Sequence, residues 1–152
     1  MTEPWIPEGF HTVTPNIIVD DAEEAITFLK AGLGASERYR LTLPDGKIAH
    51  CELEIGNSVV NLGESMEGWP ARGLVAQIFV EDSDALFEQA VAAGATVVMP
   101  MTDMFFGSRE GRVSDPAGKP LDSRHAAGRP VAPTDAAEDE LSKLGGFAPL
   151  SA

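Results

Sequence analysis

The sequence predicts an α+β fold made of two copies of one βαβββ unit. The first observation is an internal repeat, in which an apolar run leads into an acidic helix start at residues 19–26 and again at 80–87. The second is that both segments end at a glycine, Gly34 and Gly94, about 60 residues apart. This period is long for a solenoid and 152 residues suit one domain, so we expect two units that share a core.

The first unit starts with a strand at residues 17–19 and a helix over about 22–32. Asp21 supplies a side-chain N-cap and Glu24 stands three residues later, which is the spacing of a capping box. Gly34 ends the helix, because glycine adopts a positive φ at little cost. Three strands follow, at residues 37–43, 47–55 and 58–62, with turns at 44–46 and 56–57.

The second unit repeats this order. Residues 74–80 form its first strand, Asp82 or Ser83 caps its helix, and Gly94 ends that helix. The buried stripe of the helix is predicted to comprise Ala85, Leu86, Ala90, Val91 and Ala93. Further strands are expected at residues 96–101, 105–113 and 120–125, the last of them after a turn at 115–118.

These elements divide the chain into four stretches. The first unit spans residues 6–63, a linker spans 64–72, and the second unit spans 73–125. Residues 126–152 form a tail rich in Gly, Pro and Ala, in which Asp135 is predicted to cap a short helix at about 136–144. We expect the two units to form one domain overall.

Composition and charge restrict the partners. The chain carries 11 Lys and Arg against 24 Asp and Glu, a formal net charge of −13. A nucleic acid or an anionic membrane surface requires a basic face, so both are disfavoured as partners. The one cysteine, Cys51, allows no internal disulfide and no cysteine-based zinc site. With no apolar run of bilayer length and no signal-peptide pattern, we expect a cytoplasmic protein.

Alternation along residues 47–55 predicts a candidate site. The apolar face comprises Ala49, Cys51, Leu53 and Ile55, and the opposite face comprises Ile48, His50, Glu52 and Glu54. His50 and Glu52 project from the same face, about 6–7 Å apart along the strand. A histidine beside a carboxylate can act as a general base or as part of a cation-binding wall, so these two are the candidate catalytic residues. An ordinary solvated strand face is the competing interpretation.

Several stretches of the chain carry motifs, among them the hairpin at 44–50 and residues 111–118, which end in the turn Asp115-Pro116-Ala117-Gly118. The others lie at residues 6–15, 52–53 with 55–58, 91–95 and 103–107. Together with the two βαβββ units, they resemble the vicinal oxygen chelate superfamily of glyoxalase I, bleomycin-resistance proteins and dioxygenases, and within it the PhnB-like branch. The resemblance implies paired four-stranded mixed sheets around a shared cavity, with helices on the outer faces. It leaves the substrate open, because the branch has no single activity.

The resemblance also implies four stations for metal ligands, on the first and last strands of each unit. In this sequence the stations hold Thr14, Asn61, Val75 and Asp122. Valine cannot bind a metal, and Thr and Asn are weaker ligands for a transition metal than His, Cys or a carboxylate. We therefore expect no metal centre of the family type and no cofactor.

The second unit departs from the branch at two positions. The histidine that usually follows the Asp-Pro-x-Gly turn is Lys119 here, and the aromatic residue after it is Leu121. The stretch from Phe106 to Arg109 does resemble the aromatic-Gly-x-Arg stretch of the branch. The ligand-binding wall implied by the resemblance adds to His50 and Glu52 the residues Thr14, Asn16, Asn61, Gln77, Phe79, Phe106, Arg109 and Asp122.

The first functional interpretation is a metal-independent protein of the glyoxalase/bleomycin-resistance type, which binds or sequesters a small molecule in a cavity. The alternative is a divalent-metal-dependent lyase or dioxygenase on the same fold, and an interaction domain without a ligand also stays open. Carboxylates on the cavity wall and the rings of Phe79 and Phe106 favour a cationic or neutral aromatic ligand. The resemblance and the need to cover strand edges predict a homodimer.

Overall fold

The computed structural model describes residues 4–105 and 107–116, and the strand path of residues 122–127. Its elements, in chain order, are β1 (Asn16–Val19), α1 (Ala22–Leu33), β2 (Ser36–Thr42), β3 (Ile48–Ile55), β4 (Ser58–Glu64), β5 (Ala76–Gln77), α2 (Ser83–Ala92), β6 (Thr96–Asp103), β7 (Arg109–Ser114) and β8 (Asp122–Ala127). Phe106, Lys119, Leu121 and the tail helix expected at about 136–144 lie outside the described residues. Neither α1 nor α2 is long and apolar enough to cross a membrane.

The strands form two mixed sheets of the same topology. The first sheet has the order β1-β4-β3-β2 and the second has the order β5-β8-β7-β6. In each sheet the strand before the helix pairs in parallel with the last strand, and the other pairs are antiparallel. The predicted α+β fold, with βαβββ connectivity and paired four-stranded mixed sheets, is therefore confirmed.

Local signals in the sequence determine where both helices begin. Oδ1 of Asp21 accepts a hydrogen bond from the backbone N–H of Glu24, and Oδ1 of Asp82 accepts one from that of Ala85, both at 2.9 Å. These bonds satisfy N–H groups that the first helical turn leaves unpaired. After α1, Gly34 adopts a φ of 67°, a backbone conformation that a side chain would oppose.

The core lies between the helices and the inner faces of the sheets. Ile26 of α1 packs in one buried cluster with Leu53 and Leu62 of the first sheet. Ala90 of α2 and Val113 of β7 belong to the same cluster. The core is therefore continuous between the two sheets.

The two halves of the structure meet through their helices. Nε2 of Gln89 in α2 donates to the carbonyl oxygen of Ala31 in α1 at 2.9 Å. A Cβ on Gly32 would lie 3.3 Å from the Cβ of Ala93, so the missing side chain permits this approach. Each helix covers one face of its own sheet, and the helices contact each other. The opposite face of each sheet therefore points away from the helix–helix contact.

Strand alternation determines which residues lie on these outward faces. In β3, Cys51 is fully buried on the helix side, so His50 and Glu52 lie on the opposite side. We name this surface the first open face. It comprises His50, Glu52 and the residues that pair with them on the neighbouring strands. In β7, Val113 is fully buried on the helix side, so Arg112 lies on the corresponding surface of the second sheet. We name that surface the second open face.

One position of β3 departs from the alternation. The pattern predicts Ile48 on the charged face, but its side chain is 3% exposed and belongs to the core. The pairing of β2 with β3 shifts between Leu41 and Thr42, so a bulge next to Ile48 changes the direction in which its side chain projects. The prediction for Ile48 is wrong because the alternation of a single strand does not reveal a bulge.

The first strand of the second sheet is shorter than predicted. β5 contains two residues, Ala76 and Gln77, instead of residues 74–80. Val75 and Phe79, on either side, are 56% and 61% exposed. The predicted extent is wrong because an apolar run shows strand preference, whereas the length of a strand depends on how far its neighbour pairs with it.

Two further details of the second sheet differ from prediction. β7 begins at Arg109 rather than at residue 105, because a turn separates it from β6. In that turn the N–H of Gly107 donates to the carbonyl oxygen of Met104 at 2.9 Å. Of the stripe predicted for α2, Ala90 is fully buried, whereas Val91 is 37% exposed. Among the described residues, α2 therefore covers its sheet less completely than α1 does.

Candidate functional site

A row of four residues crosses the first open face. Asn16 of β1 pairs with Asn61 of β4, Asn61 pairs with Glu52 of β3, and Glu52 pairs with Tyr39 of β2. Directly paired residues of neighbouring strands project from the same face. Three predicted site residues from three strands therefore lie side by side, and a tyrosine completes the row.

His50 extends this row along β3. Its Nε2 lies 3.5 Å from Oε1 of Glu52, at the limit of a hydrogen bond. The two side chains are 35% and 22% exposed, so a ligand can reach both of them. The ring of Tyr39 lies 6.2 Å from the ring of His50 at an angle of 48°. One small surface thus provides an imidazole, a carboxylate and an aromatic ring.

Asn61 contributes an unsatisfied hydrogen-bond acceptor. Its Oδ1 is buried and has no hydrogen-bond partner among the residues that the structure describes. Burying such a group without a partner costs about 1–3 kcal/mol, and most buried polar atoms in proteins are paired. An N–H or O–H group of a bound molecule would satisfy this oxygen.

An arginine borders the first open face and is held away from Glu52. The guanidinium of Arg38 lies 5.3 Å from the ring centre of Phe10 and donates to the carbonyl oxygen of Glu8 at 2.8 Å. Its Nε lies 4.0 Å from a carboxylate oxygen of Glu54. Within the described part of the chain, Glu52 forms an ion pair with no lysine or arginine. A cationic ligand would therefore find its carboxylate available.

Arg109, predicted as a ligand-binding residue, lies on the helix side of the second sheet. Its Nε and Nη2 donate to the two carboxylate oxygens of Asp84 in α2, each at 2.7 Å, and its Nη1 donates to Asp103 at 3.0 Å. The hydrogen bonds from Arg109 lower the pKa of Asp84 below its usual value, and the same pair raises the pKa of Arg109. The structure does not bring Arg109 to His50 and Glu52, because alternate positions of β7 face α2.

Gln77 and Phe79 lie at a third place, an apolar cavity on the helix side of the first sheet. This cavity has a volume of about 340 Å³ and lies between α1, the turn after β3 and the segment around β5. Leu86 and Val60 are among its mostly apolar walls. Because Val60 lines the cavity and Asn61 follows it in β4, the apolar cavity and the first open face lie on opposite sides of one sheet.

Three of the four metal stations implied by the resemblance have described side chains, at Thr14, Asn61 and Val75. Thr14 precedes β1 and its hydroxyl donates to the carbonyl oxygen of His11 at 3.4 Å, while Val75 has no donor atom in its side chain. Asp122 pairs in register with Ser114, in the second sheet. No three His, Cys, Asp or Glu side chains of the described residues lie close enough together to hold a metal ion. At the three stations whose side chains are described, the residues present therefore do not fit the metal of the family.

Sequence reasoning missed one residue of each open face. Tyr39 is the only tyrosine of the chain, and counting back from the turn at 44–46 approaches its pairing with Glu52. Because the pairing of β2 with β3 is irregular between Glu37 and Tyr39, counting residues from the turn does not give the correct register. Arg112 precedes the turn at 115–118, and no side-chain pattern in the sequence marks it as a site residue.

The comparisons with known proteins agree over most of the chain. Residues 9–121 match the Glyoxalase/Bleomycin resistance protein/Dioxygenase superfamily. An uncharacterized protein of Mycobacterium bovis is 38% identical over 117 residues, which are 70% of this chain and 77% of the relative.

Two solved structures illustrate the likeness of the fold. TioX from Micromonospora sp. ML1 has a TM-score of 0.63 and 25% sequence identity, over 82% of this chain and 100% of TioX. The PhnB protein from Bacillus cereus has a TM-score of 0.59 and 12% identity, over 78% of this chain and 98% of that protein. At 12% identity the second likeness is one of fold alone.

Proposed function

The chain belongs to the glyoxalase/bleomycin resistance protein/dioxygenase superfamily, and we propose that it binds a small molecule on the first open face. One observation carries this proposal: Asn61, whose buried Oδ1 has no partner among the described residues, lies in register beside Glu52, whose carboxylate is 3.5 Å from His50. A strand face that served only to meet solvent would be more stable with that oxygen paired or replaced. Retention of the unpaired oxygen is explained if a ligand pairs with it.

The groups on this face favour a ligand that offers a hydrogen-bond donor, and a cation above all. Oδ1 of Asn61 and the carboxylate of Glu52 are acceptors, and a neutral His50 can offer one more. Tyr39 adds a ring that is 51% exposed, on which a cation can stack with about 0.5–2 kcal/mol of stabilisation. We therefore propose a cationic or neutral aromatic ligand, with Tyr39 as the aromatic contact.

The proposed binding does not depend on a metal, since Thr14, Asn61 and Val75 supply no strong ligand at three of the family's stations. If the protein catalyses a reaction, His50 acts as the general base and Glu52 orients its imidazole. Membership of the PhnB-like branch is also a proposal. It is supported by the turn at residues 115–118 and by the fold likeness to the PhnB protein of Bacillus cereus.

The apolar cavity is a second candidate position, because its volume of about 340 Å³ falls within the usual range for small-molecule sites, about 300–1,000 Å³. Its walls favour a neutral, apolar molecule with one polar group near Gln77. The two positions are separable by experiment, since Glu52 lies on the other side of the sheet and does not line the cavity.

We further propose that the two units form one domain and that the protein is a cytoplasmic homodimer. Val98 and Phe105 are 58% and 44% exposed, and a second copy would remove such side chains from water. Light scattering at micromolar concentration should give twice the chain mass of 16.1 kDa. A measured mass of one chain would contradict the dimer.

The proposed function is tested by a thermal-shift screen of a charge-balanced library, followed by calorimetric titration of the best cationic binder. We expect Glu52→Gln to weaken that binder about tenfold or more, since hydrogen bonds to charged groups contribute about 1.5–3 kcal/mol. Glu88→Gln, at an exposed position of α2, makes the same charge change and should leave the affinity unaltered. Equal affinities for the wild type and Glu52→Gln would refute the proposed site.

A further inference from the structure

Arg112 places a positive charge on the second open face. Arg112 of β7 is partly buried, and its Nε is buried without a hydrogen-bond partner among the described residues. Within the same residues, no carboxylate forms an ion pair with its guanidinium. A half-buried guanidinium is normally paired, because burial removes water from a charge.

Other half-buried arginines of this chain do find partners. Acidic residues outnumber basic ones by 24 to 11, and Arg38, Arg40 and Arg109 each pair with at least one carboxylate. Glu110 stands two residues before Arg112 on the same strand, but its carboxylate accepts from the hydroxyl of Ser108 at 2.8 Å. The nearest acidic residue along β7 is thus engaged elsewhere.

The residues that pair directly with Arg112 on the neighbouring strands are not acidic. Met99 of β6 and Arg124 of β8 are the residues that pair with Arg112 in register. Gln77 of β5 pairs in turn with Arg124. The residues directly paired in this row are therefore not acidic, and Asp122, the acidic residue of β8, pairs with Ser114.

We propose that Arg112 binds an oxyanion, a carboxylate or phosphate-type group of a small organic molecule, on the second open face. The planar guanidinium presents parallel N–H donors whose spacing matches two oxygens of such a group. An anion would satisfy the buried Nε and also balance the charge, whereas a neutral acceptor would leave the charge uncompensated. The two open faces belong to different sheets, so this proposal stands apart from ligand binding at Asn61.

The test follows the Nε–H resonance of Arg112 by NMR in the full chain. The resonance is assigned by its absence from the spectrum of Arg112→Lys or Arg112→Gln. Only one of these two variants needs to fold for the assignment. The probes are benzoate, phenylphosphonate and neutral benzamide, titrated at constant ionic strength. We expect both acids to shift the resonance in a saturable way and benzamide to leave it in place. In Arg112→Lys, followed by the backbone amide resonances of β7, binding of the acids should be about tenfold weaker, because lysine keeps the charge but loses the paired donors.

Arg72→Gln is the matched control, since Arg72 is exposed and the variant removes one positive charge. It should bind both acids as the wild type does. The proposal is overturned if neither acid shifts the Arg112 resonance at concentrations up to about 50 mM. It is also overturned if the resonance moves only when the protein is diluted to monomer, because Arg112 would then pair with a second copy of the chain.

Discussion

Asn61→Leu should stabilise the unliganded protein while it abolishes binding on the first open face. Oδ1 of Asn61 is buried without a described partner, and an unpaired buried acceptor costs about 1–3 kcal/mol. Leucine has a similar size and no polar atom, so we expect the free energy of unfolding to rise by about 1 kcal/mol. For a chain of 152 residues this corresponds to an increase in Tm of about 2–4 °C.

The assay is thermal and urea denaturation of the purified proteins, combined with calorimetric titration of the best cationic binder. Asn16→Leu is the matched control, because Asn16 is exposed and pairs in register with Asn61. Its free energy of unfolding should change by no more than about 0.5 kcal/mol. A loss of about 1 kcal/mol or more in Asn61→Leu alone would refute the reasoning, since it would mean that the amide is already satisfied in the free protein.

Three further predictions concern packing and titration. A Cβ on Gly63 would lie 2.7 Å from the carbonyl oxygen of Ala49, so Gly63→Ala should lower the free energy of unfolding by about 1–3 kcal/mol. An unchanged denaturation midpoint would contradict the close approach of β4 to β3. Burial raises the pKa of the Cys51 thiol, so a thiol reagent should label it no faster than the protein unfolds; rapid labelling of the folded protein would contradict its burial. Arg109 lowers the pKa of Asp84, so the pair stabilises the fold above the usual aspartate pKa, and this stabilisation is lost as the pH falls through the lowered value. The difference in Tm between the wild type and Asp84→Asn should therefore shrink below about pH 4, and a difference that does not vary with pH would count against the pairing.

The fold was predictable where the signals are local. Asp21 and Asp82 each precede an amphipathic segment, and capping depends on residues three positions apart, so both helix starts agree with prediction. The extent of β5 was not predictable in the same way. The apolar run from Leu74 to Val80 satisfies the preferences of a strand, but the structure pairs only two of its residues with β8. Strand ends depend on a partner that is distant in the sequence.

In the candidate site, too, local features were predictable from the sequence and features that depend on distant partners were not. His50 and Glu52 share a face because alternation within one strand is a local property, and the antiparallel pairing of β3 with β4 adds Asn61 to them. Arg109 was placed by its resemblance to a motif, and a motif does not report which side of a strand faces the helix. Arg112, its neighbour on the other side of β7, became visible only through the missing partner of its Nε.

The most direct test of the central claim is NMR chemical-shift mapping with the best binder from the thermal-shift screen. It decides whether the ligand occupies the first open face or the apolar cavity, because the two lie on opposite sides of one sheet. The account predicts that the largest shifts fall on the side chains of Tyr39, His50 and Asn61, and that the binder perturbs Phe79 little. Shifts confined to residues 56–58, 74 and 76–80, which line the apolar cavity, would contradict it.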